Sequence, residues 1–144
     1  MKLKNILIAE DNPNDAELTT TALSELNLAN RLDLVVDGVE VLEYLRCEGK
    51  FKNRNSGLPA VILLDIKMPR MNGIEVLQTI REDPGLKLIP IVMLTSSREE
   101  QDLAQTYKLG INAYVVKPVD FSQFVDALTH LGVFWALINE APKI

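Results

Sequence analysis

The chain has 144 residues, of which 47% are hydrophobic and 24% charged, and its formal net charge is −5 at pH 7. That length suits one domain with a substantial core, and the composition excludes disordered, collagen-like and disulfide-rich classes. The acidic balance argues against a nucleic-acid-binding surface, because phosphate contacts need clustered Lys and Arg. A single cysteine, Cys47, excludes an internal disulfide and a cysteine-rich zinc site. It reads as a small apolar residue on a helix. The longest unbroken apolar run, Val133–Ile138, has six residues, against about 20 needed to span a bilayer. The stretch from Met1 to Asp11 starts basic and ends in two acids, too short for a signal peptide, so the expected location is the cytoplasm.

Taken in chain order, short apolar runs alternate with helix-period segments. Ile6–Ala9 reads as a first strand and runs into Glu10-Asp11. Asn12-Pro13 then places a capping Asn before a Pro at the first helical position. Leu32–Val36 is the second strand, followed by Asp37-x-x-Glu40, which resembles a capping box. The polar stretch from Glu48 to Pro59 is longer than a typical connection. Its Lys50, Lys52 and Arg54 read as solvated.

The third strand, Ala60–Leu64, ends at Asp65. Met68-Pro69 and Asn72-Gly73 form a turn that starts a helix at Asn72-x-x-Glu75. Ile91–Leu94 ends in Thr95-Ser96, ahead of Ser97-x-x-Glu100. Ala113–Val116 ends in Lys117-Pro118, ahead of Asp120-x-x-Gln123. In the last helix Phe121, Phe124, Val125, Leu128, Leu131 and Trp135 form a core-facing stripe.

The strands show little polar alternation, as parallel strands covered on both faces should. Right-handed crossovers then give an α/β fold, a doubly wound (βα)5 three-layer sandwich with the flavodoxin-like strand order 2-1-3-4-5. The functional crevice of such a sheet lies at the carboxyl ends of the strands, beside the switch point between strands 1 and 3. Residues 1–144 read as one domain, with a C-terminal helix and short tail over about 120–144 and no output domain.

A single acid at a strand end is more often a helix cap or a solvated loop residue. Here the Glu10-Asp11 pair, Asp65, Thr95 and Lys117 each close a different strand, and the topology brings them to one crevice. Glu10, Asp11 and Asp65 would carry three negative charges in a small space, which demands compensation. A divalent cation and one Lys would balance them. Oxygen ligands without His or Cys suit Mg²⁺. His130 has no ligand partner and reads as a surface residue.

Ile8-Ala-Glu-Asp-Asn, Leu63-Leu-Asp-Ile-Lys-Met-Pro-x-Met-Asn-Gly73, Val92-Met-Leu-Thr-Ser96 and Tyr114-Val-Val-Lys-Pro118 resemble the receiver domain of two-component signalling, the response regulator family. The resemblance implies a Mg²⁺-dependent phosphoacceptor at Asp65, fed by a partner histidine kinase. It makes Asp11 and Asp65 metal carboxylates, with Glu10 acting through water and Lys67 lending its main-chain carbonyl. It makes Thr95 the switch hydroxyl, Lys117 the phosphate-binding lysine, Tyr114 the rotating aromatic and Lys117-Pro118 a cis peptide. Lys67 and Ser97 occupy variable positions expected to tune phosphate lifetime. Such a protein is no enzyme in the ordinary sense; it catalyses only its own phosphorylation and dephosphorylation.

Phe134-Trp135, the ending Asn139-Glu-Ala-Pro142, the Glu48–Pro59 loop and Asp83-Pro-Gly-Leu-Lys are similar to single-domain regulators that partner phytochrome-type histidine kinases. That similarity implies a homodimer through the helix 4, strand 5, helix 5 face, while the acidic balance and the short apolar runs lead to the expectation of no nucleic-acid or membrane partner. The Val133–Ile138 run either folds back over the sheet edge or forms a dimer or kinase-docking surface. Two other classes remain open. One is a receiver fold used only for binding or dimerisation. The other is an enzyme of similar topology, such as a phosphatase with an aspartyl intermediate or a flavin carrier. Against the phosphatase stands Lys67, where a second Asp would be needed.

Overall fold

The computed structural model describes residues 5–24, 31–55, 57–106 and 113–131. Five strands, β1 (Asn5–Ala9), β2 (Arg31–Val35), β3 (Val61–Asp65), β4 (Ile91–Thr95) and β5 (Tyr114–Val116), form one sheet in the order β2-β1-β3-β4-β5. Every neighbouring pair is parallel. The helices are α1 (Pro13–Ser24), α2 (Gly38–Arg46), α3 (Gly73–Glu82), α4 (Arg98–Thr106) and α5 (Phe121–Leu131). The expected topology is therefore present, and each strand lies within a residue of its expected bounds.

Alternation along the strands splits the core in two. Leu7, Ala9, Ile62, Leu64 and Met93 pack with Val41, Tyr44, Leu77 and Ile80 of α2 and α3. Ile6, Ile8, Leu63, Val92 and Leu94 pack with Leu23 of α1 and Phe124 and Leu128 of α5. Helices cover both faces of the central strands β1, β3 and β4, which are apolar but for Asn5, Asp65 and Thr95, while the edge strands β2 and β5 leave Leu34 and Val116 exposed. In α5 the buried stripe is Phe124, Ala127 and Leu128, while Phe121 is exposed. Phe121 is the first residue of the helix, ahead of that stripe. Trp135 and the Val133–Ile138 run lie outside the described residues.

The caps mostly follow expectation, with shifts at the return contacts. Asn12 Oδ1 accepts from the N–H groups of Asn14 and Asp15 at 2.9 and 3.1 Å. Asn72 and Glu75 make a complete capping box. Asp37 accepts from the Glu40 N–H at 2.9 Å, but the Glu40 carboxylate accepts from Val36 instead of Asp37. Asp120 caps Gln123, whose side-chain oxygen accepts from the Val116 N–H at 3.1 Å. In both cases the returning side chain ties the helix to the end of the preceding strand.

Two expectations need correction. Arg54 is not simply solvated. Its guanidinium lies 3.9 Å from the Tyr44 ring centroid and donates to the Tyr44 carbonyl through Nε at 2.9 Å. It staples the long loop to the C-terminal end of α2, adding to the Cys47 N–H as a donor to the Tyr44 carbonyl. Lys50 also pairs, with Glu40 at 2.6 Å, while Lys52 is exposed as expected.

Cys47 is not inside a helix but at the C-cap of α2, in the left-handed region at φ 54°. A Cβ there is strained, and glycine is the residue such caps favour. Cys47→Gly is expected to stabilise the fold by about 0.5–1 kcal/mol. The check is the urea midpoint, which should rise with an unchanged slope.

Candidate functional site

The carboxyl ends of β1, β3, β4 and β5 meet beside the switch point. β1 delivers Glu10, which is buried, and then Asp11, which is exposed. β3 ends on Asp65, only 2% exposed. Carboxylate oxygens of Glu10, Asp11 and Asp65 all lie within 4.8 Å of one another. Lys117 reaches into this group from the end of β5. Its ammonium donates to Glu10 Oε1 at 3.0 Å, Asp15 Oδ2 at 3.1 Å and Asp65 Oδ2 at 3.2 Å. The backbone fixes its entry point, since the Lys117 N–H donates to the Thr95 carbonyl at 2.7 Å. The Lys117-Pro118 peptide is cis, as the resemblance implied.

The electrostatics follow from this crowding. Burial raises the Asp65 carboxyl from 3.8 to about 7, reinforced by the Glu10 carboxylate beside it and only partly offset by Lys117. For Lys117, burial works toward deprotonation, but its contacts with Glu10, Asp65 and Asp15 outweigh it and hold the ammonium firmly charged. One Lys against this group of acids leaves positive charge in short supply. A hard divalent cation would fit that donor set of oxygens.

Thr95 ends β4 and is fully buried. Its hydroxyl has no hydrogen-bond partner among the described residues. A buried hydroxyl in that condition costs free energy until an acceptor arrives. Tyr114, at the start of β5, is half-buried and packs against the α2–α3 side of the core.

A cleft of about 440 Å³ opens beside the acids, lined by Asp11, Ile66, Lys67, Met68, Pro69, Asn72, Ile74 and Glu100. Lys67 is exposed at its mouth. Its N–H donates to Asp65 Oδ1 at 3.4 Å. The turn carrying it is anchored from α2: Arg70, at φ 63°, donates to the buried Asp37 at 2.8 Å, and the Gly38 N–H donates to the Met71 carbonyl at 3.1 Å.

Glu10, Asp11, Asp65 and Lys117 therefore meet at one crevice, and Thr95 joins them through the hydrogen bond from the Lys117 N–H to its carbonyl. Two residues that sequence reasoning missed join them. Asp15 is the third partner of Lys117. It lies in the first turn of α1, four positions after Asp11, and that turn starts at the carboxyl end of β1. That placement was a usable signal. Glu100, read only as a helix-cap partner, is buried in the cleft wall. His130 is exposed and distant from the acids in sequence and element, as expected.

A parallel sheet in this order, with an acidic pair after β1, an aspartate after β3 and a lysine after β5, describes the receiver class of signalling domains. The family model for the response regulator receiver domain matches residues 6–129, and the chain belongs to that family. Among solved structures it is similar to the bacteriophytochrome response regulator AtBRR, at a TM-score of 0.91 and 56% identity, covering 97% of this chain and 100% of that one. Response regulator Rcp1 of Synechocystis sp. is 33% identical over 132 residues, 92% of this chain and 88% of Rcp1. The Mn(2+)-bound form of Rcp1 superposes at a TM-score of 0.74 with 31% identity, over 98% of this chain and 99% of that one. The phosphorylated cyanobacterial phytochrome response regulator RcpA gives a TM-score of 0.74 at 37% identity, over 93% and 94% of the two chains. Its homologues thus include phytochrome-associated response regulators. No helix among the described residues is long and apolar enough to cross a membrane.

Proposed function

We propose that this response regulator is a phosphorylation-driven switch, with Asp65 accepting a phosphoryl group from a sensor histidine kinase of the phytochrome type. The observation that carries this reading is the meeting of Glu10, Asp11, Asp65 and Lys117 at one crevice. The relatives add support, since one was solved phosphorylated and another with a divalent metal.

A carboxylate is a weak nucleophile, so phosphoryl transfer depends on position and charge neutralisation. Asp65 is held in place from one side by Lys117. An Asp65 oxygen attacks phosphorus, the bond to the donor's leaving group breaks, and the leaving group departs with the electron pair. Lys117 stays charged throughout and stabilises the added phosphoryl oxygens. Asp11, Asp65 and the Lys67 main-chain carbonyl would hold Mg²⁺, with Glu10 acting through water. When bound, the ion supplies the missing positive charge for the acids and the incoming phosphoryl group.

Thr95 then has an acceptor for its hydroxyl. Its movement toward the phosphoryl group leaves room beside β5 into which Tyr114 turns. This two-state element, biased by a local charge, alters the α4–β5–α5 surface. That surface is the proposed homodimer face, and the site of action is the cytoplasm.

The test is intact mass after incubation with Mg²⁺ and acetyl phosphate, with Asp65→Asn and a chelated sample alongside. The expected result is a gain of one phosphate, lost in both controls. Folded protein that gains nothing under any condition would leave a phosphorylation-independent binding module as the better reading.

A further inference from the structure

Glu100 is a carboxylate buried to 6% exposure that the phosphoacceptor chemistry does not use. A buried charge is costly unless paired and hydrogen-bonded, so its contacts show what it is held by. Its Oε1 accepts from the Ser96 N–H at 3.0 Å. Its Oε2 accepts from the Ser96 hydroxyl and lies 3.5 Å from the Lys67 ammonium. Its own N–H donates to Ser97 Oγ at 3.2 Å. An ordinary capping box would return this carboxylate to the Ser97 N–H. Here it reaches one residue further back, to the residue that follows Thr95.

The consequence is mechanical. Thr95 ends β4, and its hydroxyl is buried without a partner among the described residues. A backbone shift of Thr95 toward Asp65 carries the adjoining Ser96 along. Ser96 cannot move without straining two hydrogen bonds to a charged acceptor, the stronger kind. The same carboxylate draws the Lys67 side chain across the cleft from the opposite loop. Glu100 therefore joins the β3–α3 turn to the β4–α4 turn over the mouth of the site.

We propose that Glu100 is a positioning residue, a latch that holds Ser96 and Lys67 in the resting arrangement and opposes the inward movement of Thr95. The inference rests on Asp65 being the phosphoacceptor and extends that reading to what sets its resting bias. Release of the latch favours the phosphorylated arrangement.

The experiment compares wild type, Glu100→Ala, Glu100→Gln, Lys67→Met and the Lys67→Met/Glu100→Gln double variant. One readout is hydrogen–deuterium exchange at the Ser96 amide in unphosphorylated protein, which needs no phosphate. The other is the acetyl phosphate concentration giving half-phosphorylation by intact mass. In Glu100→Ala, Ser96 exchange is expected to be about tenfold faster and the half-point about three- to tenfold lower. Glu100→Gln loses the charge but keeps an acceptor oxygen for the Ser96 N–H, and the Ser96 hydroxyl can turn to accept from the new amide, so its half-point shifts less than that of Glu100→Ala and matches that of Lys67→Met. The double variant then shifts no further than either single one, as expected for two residues acting as a pair. If Glu100 were merely a helix cap, the variants would melt lower with an unchanged half-point, and that result would overturn the latch. Unchanged Ser96 exchange in Glu100→Ala would overturn it too. A wild-type chain that takes no phosphate defeats the phosphoacceptor reading instead, which separates the two failures.

Discussion

In metal-free buffer at pH 8, Asp65→Asn is expected to melt above the wild-type chain. The folded Asp65 carboxyl sits at about 7 instead of 3.8 because it is buried beside Glu10. A raised carboxyl binds its proton more tightly in the folded state than in the unfolded one. Wild-type stability should therefore fall as pH rises from about 4 toward 7 and level off above that. Asn cannot ionise, so the variant lacks this slope. A difference of that size in proton affinity corresponds to roughly 4 kcal/mol at most. Losing one of the three carboxylate contacts of Lys117 offsets part of it, leaving about 2–3 kcal/mol, or roughly 5–10 °C in Tm. The gap should close as pH drops to about 4, where both side chains are neutral. Saturating Mg²⁺ should also narrow it by stabilising the wild type. Thermal melts across pH with and without Mg²⁺ check all three. Equal melting at pH 8 would mean that the acids are not crowded.

The second large effect lies in the backbone behind Asp65. A Cβ at Gly73 would stand 2.2 Å from the Asp65 carbonyl oxygen and 3.0 Å from the Ile66 Cα. Both are main-chain atoms and cannot rotate away. Gly73 opens α3, and its N–H donates to the Ile66 carbonyl at 2.9 Å, so the helix start is docked directly on the strand end. Gly73→Ala must push α3 outward or displace Asp65. The expected cost is about 3 kcal/mol or more, roughly 10 °C in Tm, with slower phosphate gain at Asp65. Gly85→Ala is the control. Its Cβ would meet only the Asp83 carboxylate, at 3.4 Å, and the change should stay within about 0.5 kcal/mol. Equal melting of the two variants would rule out the close approach.

These effects come from a crevice whose outline was legible in the chain, through particular residues. Five short apolar runs too brief for helices, each followed by a capping signal, leave little choice but a parallel sheet with right-handed crossovers. In such a sheet every strand ends on the same side, so Glu10, Asp65, Thr95 and Lys117 must gather there whatever their separation in sequence. Periodicity also assigned Phe124 and Leu128 to the core. These are properties of strand ends and helix faces, and local pattern encodes them.

Local pattern does not encode which partner a long side chain reaches. Lys117 chose three acids, one of them Asp15, because three elements converge within the span of one ammonium. Glu100 passed over the Ser97 N–H for Ser96 and Lys67, a contact that exists only once two separate loops face each other across the cleft. Arg54 left solvent for the Tyr44 ring and carbonyl because the loop returns over the end of α2. Cys47 took a left-handed cap because the chain had to turn there. The sequence by itself determined the sheet, its order and the set of residues at its carboxyl edge, since backbone sterics and burial leave few alternatives. Only the tertiary structure decided how those charges are shared, because each pairing is settled by distances between segments that are remote along the chain.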